Sequence, residues 1–217
     1  MTKNSILNSC CSTSANLRES LSWTIANIHA KDWATGTGGN FSAVLNRDPL
    51  TLLMAPSGVD KGLIQPADLI EVDAKGKVIQ GNGRASAETY LHLAIIEKMG
   101  AGAVLHTHSI FSTLLSEHFC PQGKLTISGY EMLKGLEGII THEEIINIPI
   151  LPNSQNMHQL QHDIRSLLHD KPCFYGLCLS GHGLYTWGDT LFQARRHLEI
   201  LEFLFELTYR KLTLAIG

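Results

Sequence analysis

His106 and His108 are separated by one residue in Ala-Val-Leu-His-Thr-His-Ser, at the end of an apolar run that reads as a β-strand. Successive strand residues face opposite sides, so this spacing turns both imidazoles the same way. Two ring nitrogens presented like that can converge on one metal ion. A third histidine, His182 in Ser-Gly-His-Gly-Leu-Tyr-Thr-Trp-Gly, follows a second apolar run. Three protein ligands leave a fourth position open, which distinguishes a catalytic zinc site from a closed structural one. With 11 histidines in 217 residues, a His-x-His pair arises by chance about half a time. The pattern alone therefore leaves two readings open, a metal site and a set of satisfied or surface histidines. Position adds to the first, because each histidine lies where a buried strand gives way to a polar turn.

Two further segments have the parts of an anion site. Gly38-Gly39-Asn40-Phe41-Ser42 and Pro56-Ser57-Gly58-Val59-Asp60-Lys61-Gly62 offer backbone amides, small hydroxyls and, in the second, one cation, which suit a phosphate. Neither has the spacing of a P-loop or of a dinucleotide fingerprint, and each also reads as a structural turn. Ser86 could add a hydroxyl and free helix amides to the same anion, or serve as a plain N-cap. Glu88 and Glu131 are the candidate bases, against the general tendency of helical glutamates to be solvated. His158 and His162 are four apart on a polar stretch with Gln159 and Gln161, so they read as a solvated helix face. Lys134, Arg195 and Arg196 read as surface charges.

The elements that must position these groups alternate in type. Helical spacing over Ala15 to His29 precedes the Gly-rich stretch 35–40. Phe41 to Leu45 and Leu50 to Ala55 read as strands joined by a turn at 46–49, and Leu69 to Val72 with Lys77 to Ile79 as a second hairpin. Ser86 is placed to cap a helix that Gly100 stops, followed by a strand over Ala103 to His108. A helix from Ser109 to Leu115, a short one over Gly129 to Leu136, a strand over Ile145 to Ile150 and a helix over Gln155 to Leu168 come next. Strands at Phe174 to Leu179 and Leu184 to Trp187 then flank His182, and a long helix with its cap at Asp189 closes the chain. Mixed order with antiparallel hairpins predicts an α/β fold, with a sheet between helical layers rather than a regular doubly wound one.

Composition bounds the partners. With 44% hydrophobic and 17% charged residues, the chain can bury one good core, so a single domain over 1–217 is expected, with 1–14 as a flexible segment. A net charge of −3 gives no general basic surface, which argues against nucleic acid and anionic membranes and for a small ligand. Residues 1–20 lack the apolar core of a secretory signal and no later stretch suits a membrane span, so a cytoplasmic location is expected. The five cysteines, Cys10, Cys11, Cys120, Cys173 and Cys178, show no Cys-x-x-Cys spacing and read as reduced thiols.

Taken in order, Gly39-Asn40-Phe41-Ser42, Ser57-Gly58, Ser86-Ala87-Glu88, His106-Thr107-His108 and His182-Gly183 resemble the class II aldolase family of zinc-dependent sugar-phosphate enzymes, over about residues 15 to 210. Glu131-Met132-Leu133-Lys134-Gly135 and His182 to Gly188 look most like the branch that dehydrates methylthioribulose 1-phosphate in methionine salvage. The resemblance implies a three-layer α/β/α sandwich with a mainly antiparallel central sheet, assembled as a homotetramer. It implies one Zn2+ per subunit on His106, His108 and His182, and phosphate held by Asn40, Ser57, Gly58 and Ser86. It assigns the acid/base to Glu131, with Glu88 as the alternative, since the aldolase branch takes its catalytic glutamate from the latter position. The aldolase Ser-Ser-Glu is Ser-Ala-Glu here, which favours dehydration over cleavage of a ketose phosphate such as fuculose 1-phosphate. A non-catalytic interaction module like the adducin head is the remaining alternative, disfavoured by retention of all three histidines and both glutamates.

Overall fold

The computed structural model describes residues 3–169 and 174–215, with side chains from residue 14 onward. Helix α1 spans Lys3–Ala30 and so takes in most of the segment 1–14 that the sequence leads one to expect as flexible; the side chains of Cys10 and Cys11, and residue Cys173, lie outside those described. The hairpin β1 (Asn40–Arg47) and β2 (Leu50–Met54) follows, then β3 (Ile70–Asp73), β4 (Val78–Gln80), α2 (Thr89–Met99), β5 (Ala103–Thr107) and α3 (Ile110–Phe119). The chain continues with β6 (Lys124–Ile127), β7 (Ile146–Leu151), α4 (Met157–Leu167), β8 (Gly176–Leu179), β9 (Gly183–Gly188) and α5 (Leu191–Leu214).

Among the described residues the strands form one nine-stranded sheet in the order β4-β3-β2-β1-β5-β9-β8-β7-β6. Every pairing is antiparallel except β7 with β8, the pair joined through α4. Alternation along the strands sends apolar side chains to both faces. Leu21 and Ile25 of α1 and Leu198, Leu201 and Phe205 of α5 cover Ala103 and Leu105 on one side. Leu91 and Ile95 of α2 and Leu160 and Ile164 of α4 cover Val104, Leu177 and Trp187 on the other. This is the expected three-layer α/β/α sandwich.

Side-chain caps set several boundaries. Gly100 takes a left-handed conformation and returns its N–H to Ile96 O. Ser109 Oγ accepts from Ser112 N at 3.1 Å, and Asn156 Oδ1 accepts from Gln159 N at 3.1 Å. Three expectations need correction. Asp189 does not cap α5: Thr190 Oγ1 accepts from Gln193 N at 3.2 Å, while the Asp189 N–H is taken by the Gln193 side chain. Ser86 acts one turn before α2, where its Oγ accepts from Glu88 N at 3.2 Å. Strand β6, four residues at the sheet edge with alternating burial, adds a strand that the sequence pattern does not predict. No helix among the described residues is long and apolar enough to cross a membrane.

Candidate metal centre

β5 lies mid-sheet between β1 and β9, in a register that sets Asn40 and Tyr185 on either side of His106. His106 points to the α2 face and is wholly buried. Its ring stacks on Tyr185 with centroids 3.8 Å apart, and its Nδ1 lies 3.0 Å from Leu184 O. A carbonyl can only accept, so Nδ1 carries the proton and Nε2 presents a lone pair.

His108 sits one residue past the end of β5, not within the strand as the alternation argument required. Its backbone N–H donates to Trp33 O at 2.8 Å, and its Nε2 still comes to 2.7 Å from His106 Nε2. His182 occupies the turn between β8 and β9, where Thr113 Oγ1 donates to its carbonyl at 3.2 Å. Its Nε2 is 3.4 Å from His106 Nε2. The turn closes this tightly because residue 183 is glycine: a Cβ there would lie 1.9 Å from Thr107 O. Gly39, at φ +78°, likewise brings the Gly-rich loop against His106 O, where a Cβ would meet that oxygen at 2.9 Å.

The three ligand nitrogens lie within 4.8 Å of one another. Burial, then the facing rings of His108 and His182, holds His106 well below the ordinary histidine range. His108 is lowered by burial and by His182, with Glu88 opposing and Lys61 adding. Neutral imidazoles are the form that binds metal, and a protonated trio at these distances would repel. The donor set, the lowered basicity of His106 and His108 and the carbonyl behind His106 fit a divalent metal with an open coordination position.

Glu88 enters from the turn before α2. Its carboxylate lies 3.3 Å from His106 Nε2 and 3.5 Å from His182 Nε2, and it accepts from Asn40 Nδ2 at 2.8 Å and Tyr185 Oη at 2.6 Å. Burial and the Glu88 charge push the Tyr185 hydroxyl well above its usual range, so it stays a donor. Tyr185 had no role in the sequence reading. A buried tyrosine needs a partner for its hydroxyl, but the sequence does not say which.

Glu131 opens a short 3-10 turn, Glu131–Gly135, that packs on the α5 face through Leu133 and through Gly135 against Ile200. Its side chain is 70% exposed and pairs with Lys134 at 2.6 Å and His142 at 3.6 Å. The Lys134 hydrogen bond holds its carboxyl below the usual range. No described hydrogen bond or ion pair joins it to His106, His108 or His182.

The candidate phosphate residues fall into two groups. Asn40 is engaged with Glu88. Ser57 donates its N–H to Arg84 O at 2.9 Å and Pro56 packs on Gly83, so the loop of Ser57 and Gly58 lies beside the one leading to Ser86. Lys61 is buried, with Nζ donating to Thr37 O at 3.2 Å and Val59 O at 3.0 Å. It ties the two glycine-containing loops together. His158 and His162 lie exposed on α4, as expected.

A family model described as Class II Aldolase and Adducin N-terminal domain matches residues 19–209. The methylthioribulose-1-phosphate dehydratase of Stenotrophomonas maltophilia (strain K279a) is 42% identical over 183 residues, covering 83% of this chain and 84% of that protein. That of Xylella fastidiosa (strain M12) is 40% identical over 182 residues, covering 83% and 82%. The crystal structure of L-fuculose-1-phosphate aldolase from Thermus thermophilus superposes with a TM-score of 0.73 at 24% identity, covering 94% of this chain and 100% of that one, a likeness of fold.

Proposed function

Because this chain belongs to the Class II Aldolase and Adducin N-terminal domain family, we propose that it is a metal-dependent lyase that removes water from 5-methylthioribulose 1-phosphate. The product is 5-methylthio-2,3-dioxopentyl phosphate, formed in methionine salvage. The observation that carries the chemistry is the convergence of three imidazoles beside a hydrogen-bonded carboxylate. Relatives named for this dehydration, matched over more than four fifths of their length, favour it over aldol cleavage. Retention of the full donor set argues against a non-catalytic module.

In this reading His106, His108 and His182 hold one Zn2+ per subunit. When bound, the metal polarises the ketone oxygen of the substrate and stabilises the charge that develops there. Leu184 O and Tyr185 fix the His106 ring in the ligating tautomer. The loops of Ser57, Gly58 and Ser86 hold the phosphate, with Asn40 at the join between that end and Glu88. A carboxylate takes the C3 proton; the electron pair left behind expels the C4 hydroxyl, to which the same group returns the proton, so water departs and the enol becomes the 3-ketone. Glu131 fills this role through the homotetramer that the resemblance implies, where an exposed carboxylate on one copy faces the site of the next. Glu88, already at the histidines within one chain, favours a second reading in which it is the base. A cytoplasmic single-domain enzyme completes the proposal.

The test is incubation of zinc-loaded protein with 5-methylthioribulose 1-phosphate, following diketone absorbance, mass and released aldehyde. Loss of one water without aldehyde is expected. Aldehyde release, or cleavage of other ketose phosphates with no reaction on this one, would move the assignment to an aldolase.

A further inference from the structure

Glu202 of α5 is 2% exposed and sits among Leu198, Leu201 and Phe205, in the helix that covers β5 on the side away from Glu88. Burial pushes its carboxyl up to about 7. Its two oxygens are both used: Thr107 Oγ1 donates to Oε1 at 2.7 Å and Ser109 Oγ to Oε2 at 2.5 Å. Thr107 and Ser109 are the immediate neighbours of His108, one on each side.

His108 needs such support more than the other two histidines do. His106 is held by strand pairing on both sides, by Leu184 O and by Tyr185, and His182 by a closed turn. His108 lies where β5 has ended and α3 has not begun. Strand pairing stops at Thr107, and the α3 cap begins at Ser109. A carboxylate in an apolar layer is costly to bury, and an apolar residue would serve the α5 packing as well.

We propose that Glu202 is a positioning residue for the metal centre, gripping the hydroxyls on both sides of His108 so that its ring is held at the ligating position. This rests on the three-histidine reading of the site. Partners behind metal ligands typically change affinity by about 10- to 100-fold, and Glu202, one bond network further out, belongs at the lower end.

The test compares wild type with E202M, which removes both acceptors at similar volume, T107V, which removes one hydroxyl, and the double variant. Each is loaded with Co2+ and dialysed against graded metal buffers, with the visible absorption recorded and the melting temperature taken separately in chelator. E202M is expected to melt within a few degrees of wild type without metal, to hold Co2+ about tenfold less tightly and to show a changed visible spectrum. T107V gives a smaller loss, and the double variant loses no more than E202M, since Thr107 acts through Glu202. Wild-type affinity and spectrum in folded E202M overturn the proposal. If E202M does not fold, E202Q and T107V decide in the same way, both being expected to weaken Co2+ binding. A wild type that takes up no Co2+ would instead remove the metal site, and this inference with it.

Discussion

On the α2 side of β5, Glu88, Asn40, Tyr185 and the three histidine rings face one another, with the three Nε2 atoms close together and His106 held by Leu184 O with its Nε2 lone pair free. On the α5 side, Glu202, Thr107 and Ser109 close on themselves in a buried knot with both carboxylate oxygens occupied. The same five-residue strand supplies both, because His106 and Thr107 project to opposite faces. One side of the strand is arranged to receive a ligand, and the other holds the backbone that carries it. Glu131 belongs to neither set within one chain: its turn lies on the α5 face and its carboxylate is in solvent.

Removing a ligand on the receiving side is the largest way to break this contrast. His182→Ala is the cleaner variant, since His106 also supports the core. It should lose metal and about a thousandfold or more in turnover, as metal polarisation contributes several kcal/mol. Metal content by elemental analysis checks it, and unchanged stoichiometry in both H182A and H106A would sink the site.

The two glutamates come next. Loss of a general acid/base costs about 10²- to 10⁴-fold, so E131Q should fall by that amount in turnover while keeping its metal. Mixing sharpens the assignment. If Glu131 serves the site of another copy, E131Q mixed with H182A under subunit exchange should recover part of the activity. E88Q mixed with H182A should recover none, because both defects then fall on groups of one chain's own site. Near-normal turnover in E131Q would pass the role to Glu88.

What the sequence disclosed follows the range of the interactions. His106, His108 and His182 were legible because each stands at a strand-to-turn junction, a local signal, and both glycines beside them mark close approaches. The layer order followed from hairpins and periodicity. Tyr185 and Glu202 were not legible, because their partners Glu88 and Thr107 lie 97 and 95 residues away and only the finished sheet brings them together. Asp189 and Thr190 both suit a cap, and backbone geometry alone chose the second. β6 is faint in the sequence because four residues at a sheet edge need only one buried face, carried by just Leu125 and Ile127.

Folding stability against pH extends the contrast, since His92 on the α2 side and Glu202 on the α5 side are both buried and shifted in opposite senses. His92 on α2 is fully buried, its Nδ1 2.7 Å from Ser42 Oγ, and burial lowers it to about 3. An unfolded chain takes up that proton near pH 6.5 while the fold refuses it, so the contribution is present above pH 6.5 and lost as pH falls toward 3. It amounts to on the order of 5 kcal/mol over the whole range. Glu202, raised from 4.5 to about 7, has the other sign: the fold keeps a proton that the unfolded chain releases. Its contribution is full below pH 4.5 and lost as pH rises through 7, on the order of 3 kcal/mol. Urea unfolding in chelator at about pH 4.5, 6 and 7.5 separates them. H92L should flatten the loss on the acid side and E202Q the loss toward neutral, each by up to one proton, about 1.4 kcal/mol per pH unit. An unchanged slope in E202Q would mean that Glu202 is ionised throughout, with Thr107 and Ser109 offsetting its burial; an unchanged slope in H92L would mean that water reaches His92.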